Sequence, residues 1–141
     1  MTKSDDVKAF MLACDQPVRD EPTVVSDAEK WERFSMLTEE FSEHKKALKD
    51  LKRAVEYHSK SGTKDAMTDL ADSLVDMVYI IIGTAHAYGF DFDELWRLVH
   101  ENNMTKIDPE TGLVLKVNGK TQKPEGFVPV DLRSAIYPSK H

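Results

Sequence analysis

The stretch from Ala66 to Ala85, AMTDLADSLVDMVYIIIGTA, constrains this chain more than any other. Its apolar residues recur at helical spacing around most of a helix circumference: Leu70, Ala71, Leu74, Val75, Met77, Val78, Ile81 and Ile82. A helix of that kind is expected to be covered by protein on most sides. Yet Asp69, Asp72 and Asp76, three and then four residues apart, fall on one narrow stripe of it, which Tyr79 and Gly83 continue. Carboxylates on a largely covered helix are costly unless they are paired or bound to a cation.

A second acidic cluster, EEFSE from Glu39 to Glu43, lies upstream on another predicted helix. Its register separates the glutamates. Glu40 sits at the edge of the Leu37, Phe41 and Leu48 line, Glu43 one step further round on the same side, and Glu39 nearly opposite. Glu40 and Glu43 are therefore the inward candidates. Taken alone, EEFSE reads better as a solvated helix face, and the aspartates can be partners of a neighbouring Lys or Arg. Together, the two clusters favour a site for a hard divalent cation, Mg²⁺ or Mn²⁺, with Glu40, Glu43, Asp69, Asp72 and Asp76 as oxygen donors. His44, His58, His86 and His100 form no Glu-x-x-His pair, which disfavours a di-iron carboxylate bundle.

The elements follow from periodicity and caps. A first short helix is predicted over Asp5 to Cys14, with Val7, Phe10, Met11 and Cys14 as its apolar face. Pro17 and Pro22 hold an extended connector. Ser26, with Glu29 in capping-box position, starts a long helix from Asp27 to Tyr57 whose apolar line is Phe34, Leu37, Phe41, Leu48, Leu51 and Val55. Ser59 to Thr63, SKSGT, reads as a turn before a third helix from Lys64 to Tyr88, closed by Gly89. Asp91 caps a fourth helix ending at Asn102 or Asn103. Prolines and glycines crowd the segment from Lys106 to Pro129. There LVLKV (Leu113 to Val117) reads as a strand of a small hairpin or ordered arm, packed on the helices or reaching a partner subunit. The expected architecture is all-α: a helical bundle completed by homo-oligomerisation, one domain over residues 1–141, with a poorly ordered tail over 134–141.

Composition excludes several classes. The net charge of −6 argues against a nucleic-acid surface. Cys14 is the only cysteine, so no intrachain disulfide forms, which fits a reducing cytoplasm. The opening MTKSDDVKAF has no apolar signal-peptide core, and the run from Met77 to Ile82 is too short to span a bilayer. A soluble cytoplasmic protein without a membrane or nucleic-acid partner is expected.

The order Glu40-x-x-Glu43, turn, Asp69-x-x-Asp72 resembles the all-α nucleoside triphosphate pyrophosphohydrolases, the MazG-like and phosphoribosyl-ATP pyrophosphohydrolase-like proteins. The likeness extends to four segments in the same order: Asp5 to Thr23, Asp69 to Gly89, Glu101 to Lys106, and Gly119 to Leu132. Asp69 stands where that family usually has Glu, and NNMTK and PVDL stand for its Ser-Asn-Met-Ser-Lys and Pro-Pro-Asp-Leu. The resemblance implies hydrolysis of a nucleoside triphosphate to a monophosphate and pyrophosphate, with Mg²⁺ (or Mn²⁺) held by the acids. The substrate would be a dNTP such as dUTP or dCTP, or a non-canonical nucleotide. It also implies a homodimer or dimer of dimers. Glu43 is assigned to orient the attacking water or take its proton. Asn103, Lys106, Lys120 and Lys123 are assigned to the phosphates, Gln16 to the base or sugar, and Tyr79 to stacking. The competing reading is a non-catalytic nucleotide-sensing or helical interaction module on the same bundle.

Overall fold

Each helix begins where a side chain satisfies its first free N–H groups. The computed structural model describes residues 1–139, which contain five helices and one two-stranded hairpin. Thr2 caps α1 (Lys3–Ala13) in a reciprocal capping box with Asp5. Ser26 caps α2 (Asp27–Glu56), Ser59 caps α3 (Lys60–Tyr88) and Asp91 caps α4 (Phe92–Met104). Gly89, at φ 76°, closes α3, and a Cβ there would collide with the Glu21 carbonyl oxygen. The chain divides into two compact units, one over residues 1–89 and one from residue 90 onward.

In the first unit, α2 and α3 form an antiparallel hairpin with α1 packed on α3. The least exposed line of α2 is Arg33, Leu37, Glu40, His44, Ala47, Leu51 and Ala54. That of α3 is Ala66, Leu70, Ser73, Met77, Ile80, Thr84 and Ala87. Both lines alternate steps of four and three, the spacing of a coiled-coil seam. The residues fully buried along them are mostly small, so the helix axes can approach closely.

This seam corrects the sequence reading of α2. Of the expected line, Phe34, Phe41, Leu48 and Val55 are exposed in the single chain, Phe41 at 61 %. On α3, Leu74, Val78 and Ile81, the residues an oligomer is expected to cover, are exposed in the single chain together with Val75 at 63 %, while Ile82 is buried. The start of α3 is a second correction. SKSGT is the first turn of the helix, not a turn before it, and the reversal falls at Tyr57 and His58. Gly62 sits inside α3 because a Cβ would meet Ala54 Cβ at 3.3 Å and Ser59 Oγ at 2.8 Å. In α1, Val7 and Met11 are buried with Ser4, whereas Phe10 and Cys14 are exposed. By length and composition α3 could cross a membrane, a test that core helices of soluble proteins also pass.

In the second unit, the expected strand shortens to β1 (Lys116–Val117), paired antiparallel with β2 (Lys120–Thr121), and Ile107 bridges Val114. Asn102 Nδ2 donates to the Val128 carbonyl at 2.7 Å, which fastens the arm to α4. Asp131 caps α5 (Leu132–Ile136), so residues 134–136 are helical where a poorly ordered tail was expected. Lys140 and His141 lie outside the described residues.

Candidate active site

The connector after α1 fixes the frame of the first unit. Arg19 reaches Glu29 at 2.8 Å and the Ala87 carbonyl at 2.6 Å. Arg33, 8 % exposed, donates to Thr84 Oγ1 at 3.1 Å and to the Ile80 carbonyl at 3.0 Å. Gly83 makes room for that guanidinium, since a Cβ there would overlap Arg33 Nη2. Burial pulls the Arg33 pKa below its ordinary value.

Two turns along α2 from Arg33, a cleft of about 340 Å³ opens between α2 and α3. It is lined by Glu40, Glu43, Lys46, Ala47 and Asp50 from α2, and by Asp69, Asp72, Ser73 and Asp76 from α3. All five carboxylates expected to act together thus line one cleft, Glu40 and Asp76 half-buried and Glu43, Asp69 and Asp72 exposed in the single chain, and Glu39 is absent from its wall. Partial burial raises the Glu40 pKa, and the charges of Asp76, Glu39, Glu43 and Asp72 raise it further. Lys46 bonds Asp50 at 2.9 Å. That bond, then the charges of Asp50, Asp69 and Glu43, raise its pKa.

The donor chemistry fits a hard divalent cation: the wall offers carboxylates and a hydroxyl, with no thiol or imidazole. As the side chains stand, no three His, Cys, Asp or Glu groups among the described residues converge to hold an ion. Rotation of these side chains into the cleft would be needed.

Lys46, Asp50 and Ser73 were missed by sequence reasoning. Asp50 lies seven residues after Glu43, a spacing that would have placed it on the same face. The other expected residues are distributed elsewhere. Tyr79 meets Phe10 edge to face at 5.8 Å and lies off the acid cleft. With Gln16, Arg33 and Met36 it lines a separate space of about 60 Å³. In the second unit, Lys106 bonds Asn103 Oδ1 at 3.0 Å, and Lys106 and Lys123 lie over the Phe127 ring at 5.5 and 5.7 Å. Lys106 also lines a pocket of about 600 Å³ there with Asn102, Gln122 and Phe127. Lys120 is exposed on β2.

A family model described as phosphoribosyl-ATP pyrophosphohydrolase matches residues 7–103. No curated protein matches the chain.

Proposed function

The chain belongs to the phosphoribosyl-ATP pyrophosphohydrolase family, and on that premise we propose that it hydrolyses a nucleoside triphosphate between the α- and β-phosphates. Water adds its oxygen to the α-phosphorus, the bond to the bridging oxygen breaks, and a monophosphate and pyrophosphate leave. The observation that carries this reading is the gathering of Glu40, Glu43, Asp69, Asp72 and Asp76 around one cleft. A wall so acidic repels a bare triphosphate. Glu40, Glu43, Asp69 and Asp72 would hold Mg²⁺ or Mn²⁺ there, which would supply the positive charge and Lewis acidity that make the cleft a phosphate site.

The remaining roles belong to the chain's own groups. Glu43 orients the attacking water and takes its proton. Asp76 supports the set from the next turn of α3. Lys46 places a cation at the cleft wall, where it offsets charge on a departing phosphate. Asn103, Lys106, Lys120 and Lys123 are proposed to meet the phosphates, Gln16 the base or sugar, and Tyr79 to stack near the substrate. A dNTP such as dUTP or dCTP, or a non-canonical nucleotide, is our substrate class. The family description makes phosphoribosyl-ATP a second one. A homodimer or dimer of dimers in the cytoplasm completes the proposal. Exposed Leu74, Val78 and Ile81 on α3 support the assembly, because apolar groups of that size gain by leaving water.

Pyrophosphate release should be measured across canonical, damaged and ribosylated nucleotides, with Mg²⁺, with Mn²⁺ and in excess chelator. Orthophosphate as the first product, or full activity in chelator, would refute the reaction. Nucleotide binding without turnover of any substrate would favour the sensing module.

A further inference from the structure

Alongside the acid cleft, α2 and α3 are joined by a hydrogen bond whose partners directly follow two of the acids: His44 follows Glu43, and Ser73 follows Asp72. His44 Nδ1 and Ser73 Oγ are 3.0 Å apart, and Ser73 is 3 % exposed. The partners fix the proton positions. Ser73 Oγ also lies 2.8 Å from the Leu70 carbonyl oxygen, which can only accept, so the single hydroxyl proton is committed there. His44 therefore carries a proton on Nδ1 and donates it to Ser73. Ser73 is part of the cleft wall, and His44 does not line it.

Like charges across the cleft, Glu40 and Glu43 against Asp72 and Asp76, push the two helices apart. Lys46 attracts Asp69 across the cleft, but its ammonium is bonded to Asp50 on its own helix, and Ala47, the next buried residue along α2, has no polar group with which to resist the repulsion. Arg33 ties the helices two turns before Glu40, but the segment bearing Glu43 and Asp72 is tied by His44 and Ser73. We infer that His44 and Ser73 are positioning residues: their bond sets the spacing between the glutamate and aspartate rows, and through it the cleft's affinity for a divalent cation. This rests on the metal-dependent reading above.

The test is Mn²⁺ titration of the full chain without nucleotide, following the paramagnetic resonance of the free ion. Ser73→Ala and His44→Leu should each raise the Mn²⁺ Kd about tenfold, the scale of lost support behind metal ligands. The double variant should lose little more than either alone. His44→Asn, which keeps an N–H donor near the Nδ1 position, should stay within about twofold. Circular dichroism checks the fold, and should Ser73→Ala not fold, the two His44 variants decide. Unchanged affinity in folded His44→Leu, or an equal loss in His44→Asn, overturns the inference and leaves the metal reading standing. Failure of the unmutated protein to bind Mn²⁺ overturns both.

Discussion

Replacing Gly83 by alanine tests the packing that holds the two cleft helices together. In an ordinary exposed helix interior, Gly→Ala stabilises by about 1 kcal/mol. At Gly83 the sign should reverse. The new Cβ would overlap Arg33 Nη2 and stand 3.3 Å from Met11 Sδ. The guanidinium must move, and its bond to the Ile80 carbonyl is the one most directly lost. A hydrogen bond from a charged donor is worth about 1.5–3 kcal/mol, and a buried cation has few other partners. Subtracting the propensity gain leaves a net destabilisation of about 0.5–2 kcal/mol. At roughly 3 °C per kcal/mol for a chain of this size, the melting temperature should fall by about 2–6 °C. Urea unfolding and thermal melts of the metal-free protein read this directly. In an Arg33→Met background, with no guanidinium in the way, the same substitution should be neutral or stabilising. A Gly83→Ala protein more stable than its parent would refute the account of why glycine stands there.

Glu40→Gln, Glu43→Gln and Asp72→Asn should each remove most pyrophosphate release with the helical spectrum unchanged, whereas Glu39→Gln should do little; equal losses at Glu39 and Glu40 would show the helical phase to be wrong. Glu40→Gln should at the same time stabilise the metal-free fold. The folded state raises the Glu40 pKa, so the ionised carboxyl costs stability above that folded value, and protonation relieves the cost as pH falls through it. The melting-temperature gain should therefore be largest near neutral pH and shrink on acidification towards the ordinary carboxylate range; a gain that grows in acid would contradict the sign. Val78→Glu or Ile81→Glu should abolish assembly and activity together in sedimentation and turnover assays, and a fully active monomer of the unmutated protein would defeat the oligomer proposal.

Local chemistry made much of the fold legible. Ser26, Asp91 and Gly89 mark helix ends because capping needs only a few neighbouring residues. The acid stripe was legible for the same reason, since helical period alone puts Asp69, Asp72 and Asp76 on one side. The small arm was foreseen from its prolines and glycines, although its paired strands shrank to two residues each. Which face of α2 meets α3 was a different matter. The apolar stripe from Phe34 to Val55 is the stronger hydrophobic signal, yet the seam runs through Arg33, Glu40, His44, Ala47 and Ala54. Small and polar residues carry a weak burial signal, and their value lies in letting two particular helices approach and in meeting particular partners. Gly62 shows part of the same limit: by itself it reads as a helix breaker, and the closeness of the Ser59 cap and of Ala54 on α2 explains its place inside α3. The chain's own sequence thus determined the helices and the stripe of charge. Contact across the seam decided which charges share a cleft, because distance between helices is set by pairs of residues far apart in the chain.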